Sequence, residues 1–342
     1  MKEIKKIKPV FICGLPKSGT TLVLSILDGH SQLAVFPVES RFFIQLLPYL
    51  KKFKSGEEVA SFILNHTGFA LFNPESPFFK RTISSYQNQD LPYLQALKKE
   101  SFFNFLKKAL LKYERFEISS VFYATLEAYL KEKRKDPSKI KYFVEKTPRN
   151  EFFLNIIKAQ FPEFKIIHIV RNPLDNFASL KRFSLKKFGW VSYKFLGEWN
   201  KSVKIALENE NPKNYLVLKY EDLVRSPQKT IEKIVNFLEI PFEKNLLIPT
   251  LDGKLWHGNS TLGYKFEKIS SQRVNSYQDI LSFEEEMLVN FICKEKMKKV
   301  GYVIKENPLF KELWSFLKMA IKLPNKNKLR IFYSLGTKFD LF

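Results

Sequence analysis

Residues 8–30 read KPVFICGLPKSGTTLVLSILDGH. The apolar run 10–13 ends in Gly14. A second glycine follows at Gly19, and Thr20 and Thr21 open a helix-like stretch. A strand, a glycine-containing turn and a helix in that order can cradle an anion. Glycine lets backbone approach closely, and the first turn of the helix offers free N–H groups and the positive end of its dipole. The glycine spacing fits the phosphate pattern G-x-x-x-x-G-K-[ST]. Yet Thr20 stands where that pattern has lysine, and the lysine comes three residues earlier, at Lys17. Lys17, Ser18, Thr20 and Thr21 still place one ammonium and three hydroxyls within a single turn. The turn therefore reads as an anion site whose charge has been moved.

Further along, four short runs rich in β-branched or aromatic residues read as buried strands: 9–13, 142–145, 165–170 and 215–219. Helix-like stretches follow them at 20–28, 151–160 and 173–187, and after Ser226-Pro227. Serine then proline is a helix-start signal. Ile231, Ile234, Val235 and Leu238 fall on one face of the helix it opens. Alternating strands and helices predict an α/β domain over 1–305, built on a parallel sheet flanked by helices and resembling P-loop nucleotide-binding folds. Residues 42–135 are long, Phe- and Leu-rich and helical in pattern, and read as an insertion that shapes a second-substrate pocket. The tail 306–342 carries a basic amphipathic helix with Phe310, Leu313, Trp314, Leu317 and Ile321 at helical spacing. Packing of that stripe on the domain is the favoured reading, and peripheral membrane contact the alternative.

The chain has 342 residues, 45% hydrophobic, enough for a substantial core. With 34 Phe, aromatics are read first as core. The net charge of +22 attracts anions without naming them. Cys13 and Cys293 form neither a disulfide framework nor a metal spacing, so no metal is expected and a reducing, cytoplasmic setting fits. The apolar run behind the basic N-terminus is too short for a signal peptide, and nothing reaches the ~20 apolar residues of a spanning helix.

The third strand runs into RNPLDNFASL. Arg171 stands at the strand's carboxyl end, where sheets of this class bind ligands. Ser179 lies two helical turns on, so the pair can grip one anion from two sides. With these segments assembled, the chain resembles the sulfotransferases that use 3′-phosphoadenosine 5′-phosphosulfate, nearest their bacterial, carbohydrate and tyrosylprotein branches. PKSGTT resembles the family's loop for the 5′-phosphosulfate, comprising Lys17, Ser18, Gly19, Thr20 and Thr21. Arg171 with Ser179 resembles its 3′-phosphate site. VEKTPRN resembles the segment that carries a second active-site lysine, here Lys146. KYEDLVRSP resembles another family segment, in which the tyrosine matching Tyr220 contacts the nucleotide.

The resemblance also implies that Glu39, beside Arg41, is the base for the acceptor hydroxyl, with His30 as its rival. It offers Ser271 and Arg273 as further nucleotide contacts, although Gln272 and Val274 depart from the family's S-x-G-R-W. His168 reads as a core residue, and 256–260 as a loop near the site. The implied co-substrate is the phosphosulfate nucleotide, without a metal. The implied partner is a hydroxyl-bearing carbohydrate, peptide or lipid, and no nucleic acid is expected. A transferring sulfuryl group carries less charge than a triphosphate, so Lys17 can stabilise the leaving phosphate where a kinase needs Mg²⁺. A kinase-like phosphotransferase and a noncatalytic basic module are the competing readings. The first lacks the Gly-Lys pair and a strand-end carboxylate, since the third strand ends in Arg171-Asn172. The second leaves the paired anion motifs unexplained.

Overall fold

The computed structural model describes residues 3–83, 96–258, 268–304, 308–322, 325–338 and 340. Five parallel strands make the central sheet in the order β2-β3-β1-β4-β5. These are β1 Lys8–Cys13, β2 Leu33–Val35, β3 Tyr142–Lys146, β4 Lys165–Val170 and β5 Tyr215–Lys219. Four of them are the strands expected from the sequence. The fifth, β2, is three residues long and pairs with β3 at the sheet edge. Between β2 and β3 lie α2 Gly56–His66, α3 Pro77–Ile83, α4 Lys99–Leu110 and α5 Ile118–Glu132, after α1 Thr20–Leu27. Later helices are α6 Leu154–Gln160, α7 Pro173–Phe188, α8 Lys194–Asn209, α9 Tyr220–Arg225, α10 Pro227–Leu238, α11 Phe283–Val300, α12 Leu309–Lys322 and α13 Asn325–Lys338.

Side chains alternate across a strand, and the core divides accordingly. Phe11, Cys13, Phe143 and Ile166 face one side of the sheet, and Val10, Ile12, Val144 and Ile167 the other. On the first side the Phe-rich segment packs its rings together. Phe11 meets Phe43, Phe122 and Phe161 edge-on at centroid distances of 5.2–5.7 Å. Phenylalanine is thus spent on the core under the insertion. The second side is covered by α1 and α10, whose Ile231, Ile234, Val235 and Leu238 are all buried. A third cluster joins α7, α8 and α11 to Phe316 of α12 and Ile331 of α13.

Helix ends follow local chemistry. Asn172 accepts from the Leu174 N–H ahead of α7, with Pro173 in the first turn. Ser282 and Glu285 form a reciprocal capping box at α11. Ser226 corrects an expectation: its side chain makes no capping bond, and Pro227 alone marks the start of α10.

The tail also differs from the packed stripe. α12 buries Glu312 and Phe316, whereas Phe310, Leu313, Trp314, Leu317 and Ile321 are all exposed.

Candidate active site

The turn between β1 and α1 is built by its two glycines. Gly14 has φ +133°, and a Cβ there would lie 2.4 Å from the Ile169 carbonyl oxygen on β4. Gly19 has φ +106°, and a Cβ there would lie 2.6 Å from the Tyr220 ring. Both positions therefore require glycine, for its backbone freedom and for its lack of a side chain. Lys17 itself adopts a left-handed φ of 68°, uncommon for a residue with a side chain. Neighbours hold that conformation. Arg171 Nη1 donates to the Lys17 carbonyl at 3.0 Å, and Asn176 Nδ2 donates to the Pro16 carbonyl at 2.8 Å. The first amide of the turn is taken, because Gly14 N–H donates to buried Glu151 at 3.0 Å. The Ser18 N–H is also spent inside the turn, donating to the Leu15 carbonyl at 3.1 Å.

One pocket opens over this turn. Lys17, Gly19, Thr20 and Thr21 line it from the turn, Arg171 from the end of β4, Ser179 and Arg182 from α7, and Tyr220 from α9. Trp256, Lys268, Ser270, Arg273 and Ser276 line the remaining wall. That wall is tied down by Asp175, which accepts from the backbone N–H groups of Asn275 and Tyr277 at 2.7 and 3.0 Å. Arg171 links the walls. It donates Nη2 to the Arg273 carbonyl at 2.7 Å, and its guanidinium lies 4.4 Å from the Tyr220 ring centroid.

The pocket walls take Ser270 and Ser276, whereas Ser271 is exposed and outside them. A turn closed by the Val274 N–H donating to the Ser271 carbonyl at 2.9 Å separates Ser270 from Ser276 along this wall. Arg182 was not singled out from the sequence. Its signal is spacing, since it sits three residues after Ser179 on the same helical face. Of loop 256–260, Asn259 and Ser260 lie outside the described residues. His257 has a buried Nδ1 without a partner among the described residues.

Beside the pocket lies a second cluster. Lys146, at the end of β3, donates to Glu39 at 2.8 Å, and Arg41 donates to the same carboxylate at 3.0–3.1 Å. A buried network positions this segment. Ser40 and Thr147 donate to Glu145, as does Asn150, and the Arg41 N–H donates to Thr147 Oγ1. Burial pushes the Glu39 carboxyl up, but the charges and hydrogen bonds of Lys146 and Arg41 outweigh it and hold the pKa at about 2. Burial pulls Lys17 down to about 8, against the upward pull of Glu39 and alongside the repulsion of Lys146, Lys187 and Arg171. The Lys17 ammonium also lies 4.3 Å from the Phe183 ring centroid. Lys17, Glu39 and Lys146 thus form one electrostatic unit.

His30 and His168 sit elsewhere. His30 is buried and spends both ring nitrogens locally: Nε2 donates to the Pro241 carbonyl, and Nδ1 accepts from the Gln32 N–H. His168 is buried between Tyr215 and Ser202, and Ser202 in turn donates to Glu151. The His168 chain braces the residue that holds Gly14.

Two buried donors, Ser18 Oγ and Arg171 Nε, have no partner among the described residues. Leaving such groups unmatched costs about 1–3 kcal/mol each, and both belong to the segments that build the pocket. The donor set is cationic and hydroxylic, and suits a nucleotide with two separate phosphate positions.

A model of the sulfotransferase family matches residues 9–244. The fold is similar to a sulfotransferase domain from the curacin biosynthetic pathway, with TM-score 0.55 and 23% identity, covering 87% of this chain and 99% of that one. It is also similar to the sulfotransferase domain of the Synechococcus PCC 7002 olefin synthase, with TM-score 0.52 and 20% identity, covering 88% and 97%. A protein of Aquifex aeolicus is 25% identical over 248 residues, covering 70% of this chain. This chain spans only about a quarter of that relative's length, 26%.

Proposed function

The chain belongs to the sulfotransferase family, and we propose that it moves a sulfuryl group from 3′-phosphoadenosine 5′-phosphosulfate to an acceptor hydroxyl. The observation that carries this reading is the pair of anion-binding groups in one pocket: Lys17 on the glycine turn, and Arg171 with Ser179 and Arg182 across from it. The donor supplies an activated sulfur bonded to a phosphate leaving group.

The chain's own residues divide the remaining work. The later amides of the turn, Ser18, Thr20 and Thr21 hold the 5′ phosphate. Lys17 places a cation where negative charge develops on the leaving oxygen. Fixed donors of this kind act in a site that excludes water and are worth on the order of 3 kcal/mol each. Arg171, Ser179 and Arg182 hold the 3′-phosphate, and Tyr220, Arg273 and the Trp256 wall hold the nucleoside.

Glu39 takes the proton from the acceptor hydroxyl. At rest it is ionised but a weak base, because Lys146 and Arg41 share its charge. A base is most effective with a pKa near the working pH. Drawing Lys146 toward a bound phosphate frees Glu39 of one cation and raises its basicity. Donor binding and base activation are thereby coupled through one lysine. The Phe-rich insertion α2–α5 shapes the acceptor side, with Arg41 5.1 Å from the Phe78 ring centroid.

Thermal shift tests the donor assignment. A ligand that binds only the folded chain raises its melting point by mass action. 3′-Phosphoadenosine 5′-phosphate should stabilise the protein without Mg²⁺, and ATP should do so far less. Preference for Mg·ATP would overturn the reading.

A further inference from the structure

The apolar stripe of α12 faces away from the protein. Phe310 is 68% exposed, Trp314 58% and Ile321 75%, with Leu313 and Leu317 also exposed on the same face. The helix is held by its other side, where Phe316 packs on Phe291 of α11 and buried Glu312 pairs with Lys294. α13 extends the patch. It seats Ile331 and Ser334 in the core yet leaves Leu329 and Phe332 exposed, and Phe332 lies 5.9 Å from Phe316. Arg330 stacks at 4.6 Å over Trp190, another exposed aromatic. Monomeric proteins seldom expose so many large apolar side chains together without a use for them.

The two tail helices are strongly basic. From 308 to 342 the sequence has seven Lys and Arg against two acids. Both acids are paired, buried Glu312 with Lys294 and exposed Asp340 with Lys296. Lys311 and Lys318 flank the stripe and are exposed, and the Lys318 ammonium lies 5.7 Å from the Trp314 ring centroid. Long cationic side chains around Trp, Phe and Leu suit the boundary between headgroups and acyl chains. At 14 residues α12 is about 21 Å long, too short to span a bilayer. Among the described residues no helix is long and apolar enough to cross a membrane. A second copy is disfavoured as occupant, because pairing two such faces brings like charges together on a chain carrying +22.

We propose that the exposed face of α12, extended by Leu329 and Phe332 of α13, docks the protein on an anionic lipid surface, with α12 lying in the plane of the interface. The test is flotation of the full chain with phosphatidylcholine vesicles, with and without about one third phosphatidylserine, at low and high salt. The phosphatidylserine vesicles should carry the protein up and the neutral ones should not, and salt should weaken the binding. Leu317→Glu with Ile321→Glu should reduce binding about tenfold or more by removing apolar insertion and adding like charge. Both positions are exposed, so circular dichroism and the melting point should stay as in wild type. Leu111→Glu, at an exposed site on the insertion, should bind as wild type does. No binding by a folded chain, equal binding to neutral vesicles, or full binding by the double variant would each overturn the proposal. So would a concentration-dependent dimer that the double variant dissolves, since a second copy would then cover the face. Vesicle binding is read without turnover, so it stands or falls separately from the sulfuryl-transfer reading.

Discussion

Lys17→Met should give a protein that is more stable and nearly inactive. In the folded chain the Lys17 pKa is about 8, against an ordinary 10.5. Between those values the unfolded chain binds more protons than the folded one, so wild-type stability rises with pH through that window. Below pH 8 both states carry the charge, and the fold bears the whole penalty of a partly buried ammonium. At about 1.4 kcal/mol per pH unit, that penalty is on the order of 3 kcal/mol at pH 7. Methionine keeps most of the aliphatic stem over Phe183 but gives up the cation–π attraction, about 0.5–1 kcal/mol. The net gain is then on the order of 2 kcal/mol, or roughly 3–6 °C in melting temperature. Calorimetry of the ligand-free protein should show that gap at pH 7 and a smaller one as pH approaches 10. Turnover, followed as labelled sulfuryl transfer to an acceptor library, should fall about 10²–10³-fold. A variant that melts at or below wild type at pH 7, or a gap that ignores pH, would refute the desolvation reasoning. Undiminished turnover would remove Lys17 from the chemistry.

Other changes probe the remaining parts. Glu39→Gln should lower turnover roughly 10²–10⁴-fold while tightening nucleotide binding, because Lys146 is released to the phosphate; an unchanged rate assigns the base elsewhere, and His257 is then the first residue to substitute. Arg171→Lys should weaken nucleotide binding about 10–100-fold by calorimetric titration, because a lysine cannot bond the Lys17 and Arg273 carbonyls and a phosphate together; affinity equal to wild type would contradict its place in the pocket. Gly14→Ala should destabilise the fold by several kcal/mol through a clash with the Ile169 carbonyl, whereas Gly189→Ala, with nothing within 4 Å, should cost about 1 kcal/mol from backbone strain alone. Equal melting points for those two variants would show that the turn relaxes.

The sheet was legible because its strands are buried on both faces and read as short apolar runs between glycine, proline and polar breaks. β2 escaped because Leu33–Val35 is too short to show a period, and its place depends on pairing with β3 far along the chain. Lys17 and Arg171 were legible because their surroundings are local: a glycine turn, and a strand end followed by a capped helix. The Glu39–Lys146 pair was legible only as two separate residues. Its 2.8 Å contact joins positions 107 apart and follows from the Ser40–Glu145–Thr147 network, which no local pattern announces. Ser270 and Ser276 line the pocket in place of Ser271, on either side of a turn that no local repeat announces. The α12 stripe was visible as a period, but periodicity cannot say which face is covered. Phe316 and Glu312 decided that by packing on α11.

The active-site segment stores unfavourable energy that the surrounding fold holds in place. Lys17 combines a left-handed backbone with a partly buried ammonium. Arg171 Nε and Ser18 Oγ have no partner among the described residues. None of these features helps the empty protein fold, and on the proposed reading a bound anion would relieve them. The cost is spread over rigid supports: Asn176 on the Pro16 carbonyl, Glu151 on the Gly14 amide, and Asp175 on the 275–277 backbone. Glu39 is the opposite case: Lys146 and Arg41 hold its carboxyl pKa at about 2, and that pairing stabilises the fold above acidic pH. Displacing the lysine from the Gly19-Thr20 junction to Lys17 is central to this arrangement. At the junction it would join the helix start and the free amides of the turn. At position 17 it stands apart from them, close enough to Glu39 and Lys146 to feel their charges, and on the proposed reading that lets one cation respond to the leaving group while the free amides hold the phosphate.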